Sequence, residues 1–469
     1  MATRTWTGSS SNFKDLWTLT TALTWAQGDT ATITINGKSL VITIGALVTV
    51  AQVSLTIKQA WQSIAFTDTL ASCNPSGGGE SIPEMAGITA SVAGALDGLC
   101  FLGADGFNTY AISVSYVTAG NGTLAIAHTT TATGSYYYDN TGNWSGATLP
   151  VNSDSVIISR PVSILYGALD QSAVTLANMS IEESFTGSIG IPDRNPYGYE
   201  EYDATRLKIK STKITDKGSS PLTRINTSTA QTNVSLLGSS VFDWIGTHAS
   251  NVFSITSGKA YLAFYPQEVA TILTLNVSGG IVYGGSGLTL GTVNKTGGEI
   301  WLYNGTTLIS STSGNVNLKS GTHVQVAIGG GVLVASSDAI ITTLRVTGGT
   351  ASTGLQVATT TVNKTAGTLV MEVAPTTTLS SASGVTNCKT GSISGVTTIT
   401  GGTFYYGGTG TIASLVTTGS STINFDGGTN AACTVSANSI GVGTKIIDSA
   451  KRVTWTGGII PPAGTITFS

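Results

Sequence analysis

VNKTGG at Val293–Gly298 and VNKTAGT at Val362–Thr368 are two copies of a phrase that recurs through the C-terminal part of the chain. Each copy alternates apolar with small polar residues and then ends in a turn of small residues. Related segments are LNVSGG at Leu275–Gly280, LKSGT at Leu318–Thr322, VTGGT at Val346–Thr350 and ITGGT at Ile399–Thr403. A unit that restarts this often predicts a repeat architecture and not a single domain built around a pocket.

The glycines of these turns indicate the length of one repeat. Steps of 18, 24, 27, 19 and 24 residues separate Gly279, Gly297, Gly321, Gly348, Gly367 and Gly391. Three short strands with their turns need roughly 18–25 residues, whereas propeller blades and helical repeats need about 33 or more. The spacing therefore predicts that each repeat is one coil of a parallel β-helix. A stack of short Greek-key sandwiches is the competing interpretation.

The composition agrees with a large and weakly charged β-structure. Charged residues make up 10% of the chain, and only 13 Asp, Glu, Lys or Arg residues occur between Thr271 and Ser469, far below the usual quarter of a domain. The mean hydropathy of +0.23 argues against disorder, which lacks aliphatic residues. Strand edges and apolar ridges on such a molecule need partners. We therefore expect a homotrimer.

Residues 1–134 follow a different pattern, and we expect them to form a small α+β anchoring domain. Asp29–Ile44 contains two alternating strands around Asn36-Gly37, a strong hairpin signal. In Val50–Trp61 the apolar residues fall on one helical face, which predicts a helix with Trp61 in the core. Two further strand-like segments are Tyr110–Val117 and Gly122–Thr131, with a turn at Gly120-Asn121-Gly122.

The remaining chain divides at residue 270 by its composition. Residues 135–270 form an aromatic, β-rich junction with the first solenoid coils, and residues 271–469 form the Thr/Ser/Gly-rich β-solenoid. The densest charged and aromatic loop of the chain lies in the junction, at Asp193–Arg206. We expect this loop to contact a neighbouring subunit or a host glycan through Tyr197, Tyr199, Glu200, Glu201, Tyr202 and Asp203.

The acidic residues do not form a pattern suited to catalysis. Glycoside hydrolysis uses two carboxylates held about 5–10 Å apart across the substrate. The acids of the junction loop, including Asp193, instead crowd one segment, and the repeat region has only isolated acids such as Glu299, Asp338, Glu372 and Asp426. The sequence therefore predicts no catalytic residues. Tyr405 and Tyr406, with the loop tyrosines, are candidates for stacking on sugar rings, and packing between subunits accounts for them equally well.

No cofactor, metal or nucleic acid is indicated. The three histidines lie far apart, no glycine-rich segment has the strand–loop–helix context of a phosphate site, and basic clusters are absent from the sequence. The cysteines have no CxxC spacing and are expected to be free thiols: Cys73, Cys100, Cys388 and Cys433. No apolar signal segment follows the start, and the most apolar stretch, Ala86–Ala104, is expected to be buried protein and not a membrane span.

A series of short motifs runs through the junction: Asn143-Trp144-Ser145, Pro150–Asp154, Ile164–Gly167, Leu169–Ser172, Phe185–Gly190, Gly198–Tyr202 and Gly246–Asn251. These motifs, with the Asp29–Leu40 hairpin and the helix after it, resemble a poorly characterised family of phage and prophage virion structural proteins. The resemblance covers roughly residues 25–280, and the solenoid resembles that family only in its general composition. It implies a virion protein and supplies no catalytic residues.

The sequence thus favours a non-enzymatic structural protein of a tailed phage, made in the host cytoplasm and located in the virion. We expect a rigid trimeric surface element, either a head decoration or fibre or a tail fibre or spike, that contacts capsid or tail proteins and a host surface glycan. The alternatives are a bacterial surface adhesin and a polysaccharide-binding or depolymerising tailspike.

Overall fold

The computed structural model describes residues 2–8, 136–165, 167–190, 206–265, 267–353, 358–426 and 431–457, together with eight strands outside these ranges. The chain is mainly β. Helices occur in the described residues only as the single 3-10 turns Thr141–Asn143 and Ser145–Ala147. Two compact units are present, Met1–Ser211 with Gly218–Asn226, and Thr212–Lys217 with Thr227–Ser469.

Two antiparallel sheets belong to the first unit. Their strands are Asp15–Ala22, Thr89–Val92, Leu99–Gly103 and Thr123–His128 in one sheet, and Thr30–Ile35, Lys38–Thr43 and Ile112–Tyr116 in the other. Thr30 pairs with Thr43 and Ile35 with Lys38, which confirms the hairpin predicted around Asn36-Gly37. The two strands flanking the predicted turn at Gly120-Asn121-Gly122 lie in different sheets. The predicted helix Val50–Trp61 falls outside the described residues.

The first unit also contains parallel strands, and the start of the chain belongs to them. Thr3–Trp6 pairs in parallel with Ser155–Ile158, which in turn pairs with Asn178–Ile181. The chain therefore forms one parallel strand before it enters the segment that holds the antiparallel sheets. The remaining parallel strands of this unit are Asp170–Leu176, Leu207–Ser211 and Thr223–Asn226.

The second unit is a parallel β-solenoid, and the solenoid of the C-terminal region has about 13 turns. Its strands pair with the strands one coil before and after, always in parallel. This pairing confirms the predicted β-solenoid and excludes the Greek-key alternative for these strands. The strands are Lys213–Asp216, Asn233–Leu236, Val241–Ile245, Val252–Ile255, Lys259–Leu262, Ala270–Val277, Ile281–Gly284, Leu288–Lys295, Glu299–Leu302, Thr306–Ser311, Asn315–Ile328, Val332–Val346, Thr350–Thr353, Ala358–Lys364, Thr368–Val373, Thr378–Ser381, Val385–Thr390, Ile393–Ile399, Gly402–Tyr406, Thr411–Thr417, Ser421–Asn424, Cys433–Ser439, Lys445–Ile447, Val453–Trp455 and Thr467–Phe468.

Each coil has three flat faces, as the coil beginning at Ile281 illustrates. Face 1 is the short strand Ile281–Gly284, and the long strand Leu288–Lys295 supplies the other two faces. Along the long strand the buried positions are 288, 290, 293 and 295, so the inward-outward alternation shifts by one at residues 291 and 292. A strand alternates strictly unless it bends. Residues 288–290 therefore form face 2, residues 292–295 form face 3, and the corresponding segments of other coils carry the same names.

A ladder of glycines turns the chain from face 3 into the face 1 of the next coil. The glycines have φ between +65° and +80° and follow one another at steps of 18, 16, 17, 18, 18, 17 and 18 residues: Gly280, Gly298, Gly314, Gly331, Gly349, Gly367, Gly384 and Gly402. At Gly331 a Cβ would overlap the Gly314 carbonyl oxygen, and the left-handed backbone is itself unfavourable for residues with a side chain. The true coil is shorter than the sequence spacing indicated, because Gly321 and Gly391 lie at other positions of the coil.

Columns of aliphatic side chains fill the interior. The register stacks residues of face 3 directly over one another through seven coils. One such column, with every member at most 1% exposed, is Leu275, Val293, Ile309, Val326, Leu344, Val362 and Leu379. Burying each side chain contributes roughly 1.5–3 kcal/mol, so the columns hold the coils together along the axis.

Candidate functional site

The predicted contact loop lies outside the described residues. Tyr197, Tyr199, Glu200, Glu201, Tyr202 and Asp203 all fall within residues 191–205, as does Asp193. Their proposed contact with a subunit or a glycan therefore stays a prediction.

Tyr406 was predicted as part of a glycan-binding face, and the structure shows this to be wrong. Its side chain is fully buried, and its hydroxyl donates a hydrogen bond to the Gly391 carbonyl oxygen at 2.6 Å. Burial raises the pKa of this phenol above its ordinary value. Strand Gly402–Tyr406 alternates, so Tyr406 points into the core with Phe404 while Tyr405 points outward. A buried tyrosine is stable here because the carbonyl satisfies its polar end.

The most distinctive surface of the second unit is a cluster of aromatic side chains at face 1 and the corner that follows it. Within three successive coils the chain brings together six rings, which we call the aromatic surface: Tyr261, Phe264, Tyr265, Tyr283, Trp301 and Tyr303. No aromatic residue follows in the sequence between Asn304 and Thr403. The cluster is therefore local to one part of the solenoid.

Three of the rings form a stack along the solenoid axis. Tyr261, Tyr283 and Trp301 occupy the same outward position in consecutive coils. Ring centroids of the two tyrosines are 5.1 Å apart with planes 11° apart, and Tyr283 and Trp301 are 6.4 Å and 23° apart. The ammonium group of Lys319 lies 4.5 Å from the Trp301 ring centroid, a cation–π geometry. The rings thus cover one another's facing sides, and the cation covers a face of Trp301.

Phe264 joins this stack to the corner. Its ring meets Tyr261, Tyr283 and Tyr303 edge to face, with centroids 5.2, 5.8 and 6.1 Å away. Tyr303 and Tyr265, which flank Phe264, keep 39% and 44% of their surface exposed. Aromatic side chains held this rigidly are typical of contact surfaces.

The aromatic surface was not predicted from the sequence, where the junction loop was the candidate contact site. One signal was available: Tyr261, Tyr283 and Trp301 are 22 and 18 residues apart, close to the length of a coil. Residues separated by one coil stack in a solenoid. Without the correct glycine ladder, however, the coil length was not accurate enough to align these positions.

The motif Asn143-Trp144-Ser145 has a structural role in the first unit. The indole nitrogen of Trp144 donates to the Tyr138 carbonyl at 2.7 Å, and its ring packs edge to face on Trp6 at 5.1 Å. The backbone amide of Thr5 donates to the Ser145 hydroxyl at 2.9 Å. This segment therefore supplies hydrogen-bond partners to the strand Thr3–Trp6, and such covering protects a strand from unwanted pairing.

Asp154 of the motif Pro150–Asp154 fixes the start of the same strand. Its carboxylate accepts hydrogen bonds from the Ala2 amide at 2.8 Å and from the Arg4 guanidinium at 3.2 Å. The Ala2 hydrogen bond and the nearby Arg4 charge lower the pKa of this buried carboxyl. The side chain therefore remains a carboxylate that anchors backbone and does not behave as a catalytic acid.

The motif Gly246–Asn251 links coils inside the second unit. The buried Asn251 side chain accepts from the Thr232 amide at 2.8 Å and donates to the Thr271 carbonyl at 3.0 Å. Gly246 leaves no room for a Cβ, which would overlap Thr227 and Trp244. The motif is therefore explained by packing and backbone satisfaction.

The repeated VNKT phrase places a lysine inside the solenoid. Lys295 and Lys364 are each 1% exposed and donate to the carbonyl oxygens of Ser313 and Ser383 in the following glycine turn. Burial lowers the pKa of Lys295 to about 8, partly offset by Glu299, and burial also lowers the pKa of Lys364. The lysines thus satisfy turn carbonyls that face the interior.

Burial also favours the neutral form of a histidine and two cysteines of the interior. His323 is buried against the Thr306 hydroxyl at 3.0 Å, and burial lowers its pKa to about 4. Cys388 and Cys433 are buried free thiols, as expected, and burial raises the pKa of Cys388 to about 12. A thiol with a raised pKa is a poor nucleophile. The side chain of Cys100 and the placement of Cys73 fall outside the described part of the chain.

No cluster of His, Cys, Asp and Glu suited to a metal ion occurs among the described residues. The acids of the repeat region lie apart, with Glu372 bound to Lys389 at 2.6 Å and Asp426 bound to Ser449.

Across the described ranges, no helix is long and apolar enough to cross a membrane. No protein-family model, curated protein or solved structure matches the chain.

Proposed function

We propose that this chain is a non-enzymatic structural protein of a phage virion, forming a rigid, trimeric surface element. The observation that carries the proposal is the parallel hydrogen-bonded ladder along the solenoid. The Thr350 amide donates to the Gly331 carbonyl and the Thr368 amide to the Gly349 carbonyl, both at 2.9 Å, and the pattern repeats from coil to coil. Such a ladder satisfies the backbone along the axis and resists bending and proteolysis.

The interior supports a mechanical role. Three of its buried polar residues, Lys295, Lys364 and His323, bind turn carbonyls or a neighbouring hydroxyl, and none of the three faces an accessible cleft. The described acids accept hydrogen bonds from backbone amides, from neutral side chains such as Asn317 and Ser449, or from single cationic partners. These contacts are what a structural rod requires.

Residues 1–134 are proposed to hold the solenoid on the virion by contact with capsid or tail proteins. The motifs that resemble phage structural proteins support this placement only through the sequence. Their residues Trp144, Asp154 and Asn251 make contacts inside the protein. The motifs therefore support a resemblance in fold to those phage proteins.

Localisation on purified virions tests the proposal. We expect peptides of this chain in virions purified by density gradient, and immunogold labelling at one defined position, head or tail. A contaminating host protein would be removed by washing, and its gold particles would be found at random positions on the virion. Detection only on uninfected bacterial surfaces would contradict the virion assignment and favour an adhesin.

A polysaccharide-binding tailspike is the second candidate, and the exposed rings of Tyr265 and Tyr303 favour it, because tyrosines bind sugars through both ring and hydroxyl. Host capsule added to the purified protein distinguishes the two. Saturable binding lost in Tyr265→Ala and Tyr303→Ala, but kept in Leu273→Ala, would favour the tailspike.

A further inference from the structure

We propose that face 1 of the second unit, from Tyr261 to Asn387, is the surface through which copies of this chain associate side by side. The inference deepens the proposed trimer, and it rests on that proposal only for the number of copies. The position of the protein on a virion plays no part in it.

Face 1 carries an apolar stripe that face 3 lacks. The register places one outward position of eight consecutive coils in a single column: Tyr261, Tyr283, Trp301, Asn317, Val334, Ser352, Val370 and Asn387. Beside it, the neighbouring column contains three apolar residues, Ile281, Val332 and Val385, and five polar ones, Lys259, Glu299, Asn315, Thr350 and Thr368. Val334 is 41% exposed, and Val332 and Val385 are exposed as well.

Face 3 offers the internal contrast. Its outward positions over the corresponding coils are polar except for Leu308 and Ala327, namely Thr274, Asn276, Thr292, Asn294, Ser310, Gln325, Thr343, Arg345, Thr361 and Asn363. The two faces belong to the same coils and enclose the same core. Solubility alone would favour polar residues on both, so the apolar stripe on face 1 indicates a partner.

The arrangement of the rings favours a protein partner over a sugar. Sugars stack on open ring faces, but Tyr283 lies between Tyr261 and Trp301, and Lys319 covers the far side of Trp301. What remains accessible is a row of ring edges with the half-exposed Tyr303 at the corner. Protein side chains pack on edges and aliphatic ridges equally well.

The repeat favours a second copy as this partner. Parallel strands lie about 4.8 Å apart, so eight coils give a stripe ~38 Å long. A second solenoid has the same rise per coil, and each outward residue can meet an equivalent contact at every coil. A strip of this length needs a width of only ~20 Å to bury the ~800 Å² per partner of a standard stable interface.

Charge does not oppose the association. In the two outward columns of these coils the charged residues are Lys259 and Glu299, which have opposite signs. Glu299 already accepts a hydrogen bond from Asn317 at 3.1 Å. The whole chain carries a formal charge of only −3, so copies repel each other little. The charges that burial of face 1 would enclose are therefore Lys259 and Glu299 of these columns and Lys319 above Trp301.

Matched substitutions on two faces test the inference. Val334→Lys and Tyr303→Glu place a charge on face 1 and its corner, whereas Leu273→Lys and Val324→Lys place one at the bend between faces 2 and 3. The two control residues are both 51% exposed, so all four changes should leave the core intact. Native mass spectrometry of the full chain at micromolar concentration measures assembly, and far-UV circular dichroism with thermal melting verifies folding.

We expect wild type and both bend variants to be oligomeric, and the dissociation constant of both face 1 variants to rise by at least about 30-fold. Tyr303→Phe should keep assembly, because the edge contact remains. If the bend variants dissociate and the face 1 variants do not, the interface lies elsewhere, and the proposed virion function stands. A monomeric wild type overturns both this inference and the trimer, while virion labelling still decides the location. A monomer whose face 1 binds host polysaccharide makes this face a glycan site and also overturns the inference.

Discussion

The coils between Val241 and Tyr303 and the coils between Asn304 and Thr403 share a column of aliphatic core residues and have different exteriors. Leu275 and Val293 in the first region belong to the same core column as Leu344 and Val362 in the second. Outside, the first region carries the aromatic surface, and the second has no aromatic residue at all. The coil is therefore determined from within, by aliphatic columns and glycine turns. The fold does not constrain its outward residues in the same way, and in the aromatic surface these positions are occupied by aromatic side chains.

The largest expected effect tests whether the interiors are truly equivalent. Leu275→Ala and Leu344→Ala each remove a fully buried side chain from one column, and each should lower the free energy of unfolding by about 2–5 kcal/mol. Urea denaturation followed by circular dichroism measures both. Leu273→Ala, an exposed neighbour of Leu275, should change stability by less than about 0.5 kcal/mol. A much larger loss at Leu275 than at Leu344 would mean that the aromatic surface tightens the coils beneath it.

A somewhat smaller effect is expected at the glycine ladder. Gly331 has φ +75° and no room for a Cβ, whereas its neighbour Gly329 has only ordinary van der Waals contacts at the Cβ position. Gly331→Ala should therefore destabilise the fold by about 1–3 kcal/mol, and Gly329→Ala by less than about 1 kcal/mol. Thermal unfolding of the two variants checks the difference. Equal melting temperatures would show that the ladder tolerates a side chain.

These turns also show which parts of the fold the sequence alone could predict. Alternation of Val, Ile and Thr with recurring small-residue turns predicted a parallel β-solenoid, and the Asn36-Gly37 signal predicted a hairpin. Both are local patterns. The coil length was overestimated because Gly321 and Gly391 look like turn glycines in sequence. All four glycines have positive φ, and only the register, which places Gly321 inside a strand opposite Ala339, distinguishes it from Gly331 or Gly349.

Sites were harder to predict than strands, because whether a side chain points inward or outward depends on the exact register of the strand. Tyr405 and Tyr406 are adjacent and chemically alike, yet a shift of one residue sends Tyr406 into the core and Tyr405 outward. Tyr261, Tyr283 and Trp301 become neighbours only when coil length and register are known. The sequence also did not predict that the VNKT lysines point inward, since lysine in a strand normally points to solvent.

The buried lysines give a pH-dependent comparison of the two regions. Lys295 lies in the first and Lys364 in the second, and burial lowers both pKa values. The folded state therefore releases its proton at lower pH than the unfolded state, and stability should rise as pH increases from about 8 toward 10.4, the ordinary lysine value. The urea midpoint of wild type should increase over this window. Lys295→Met and Lys364→Met should each reduce the increase, whereas the exposed Lys259→Met should not. A wild-type midpoint that falls steadily from pH 8 would contradict the lowered pKa values.

The smallest expected effect is no effect, and it concerns the junction loop outside both regions. Glu200→Gln, Glu201→Gln and Asp203→Asn together should leave degradation of host polysaccharide unchanged, because we expect none in the wild type. Acid–base cleavage needs two carboxylates held apart across the substrate with separated pKa values, and three acids within four residues repel one another instead. Purified protein incubated with host capsule or cell wall, followed by measurement of released reducing ends, provides the assay, with a known depolymerase as positive control. Turnover that disappears in the triple variant would replace the structural assignment with a tailspike enzyme, and the aromatic surface would then become the first place to look for the bound glycan.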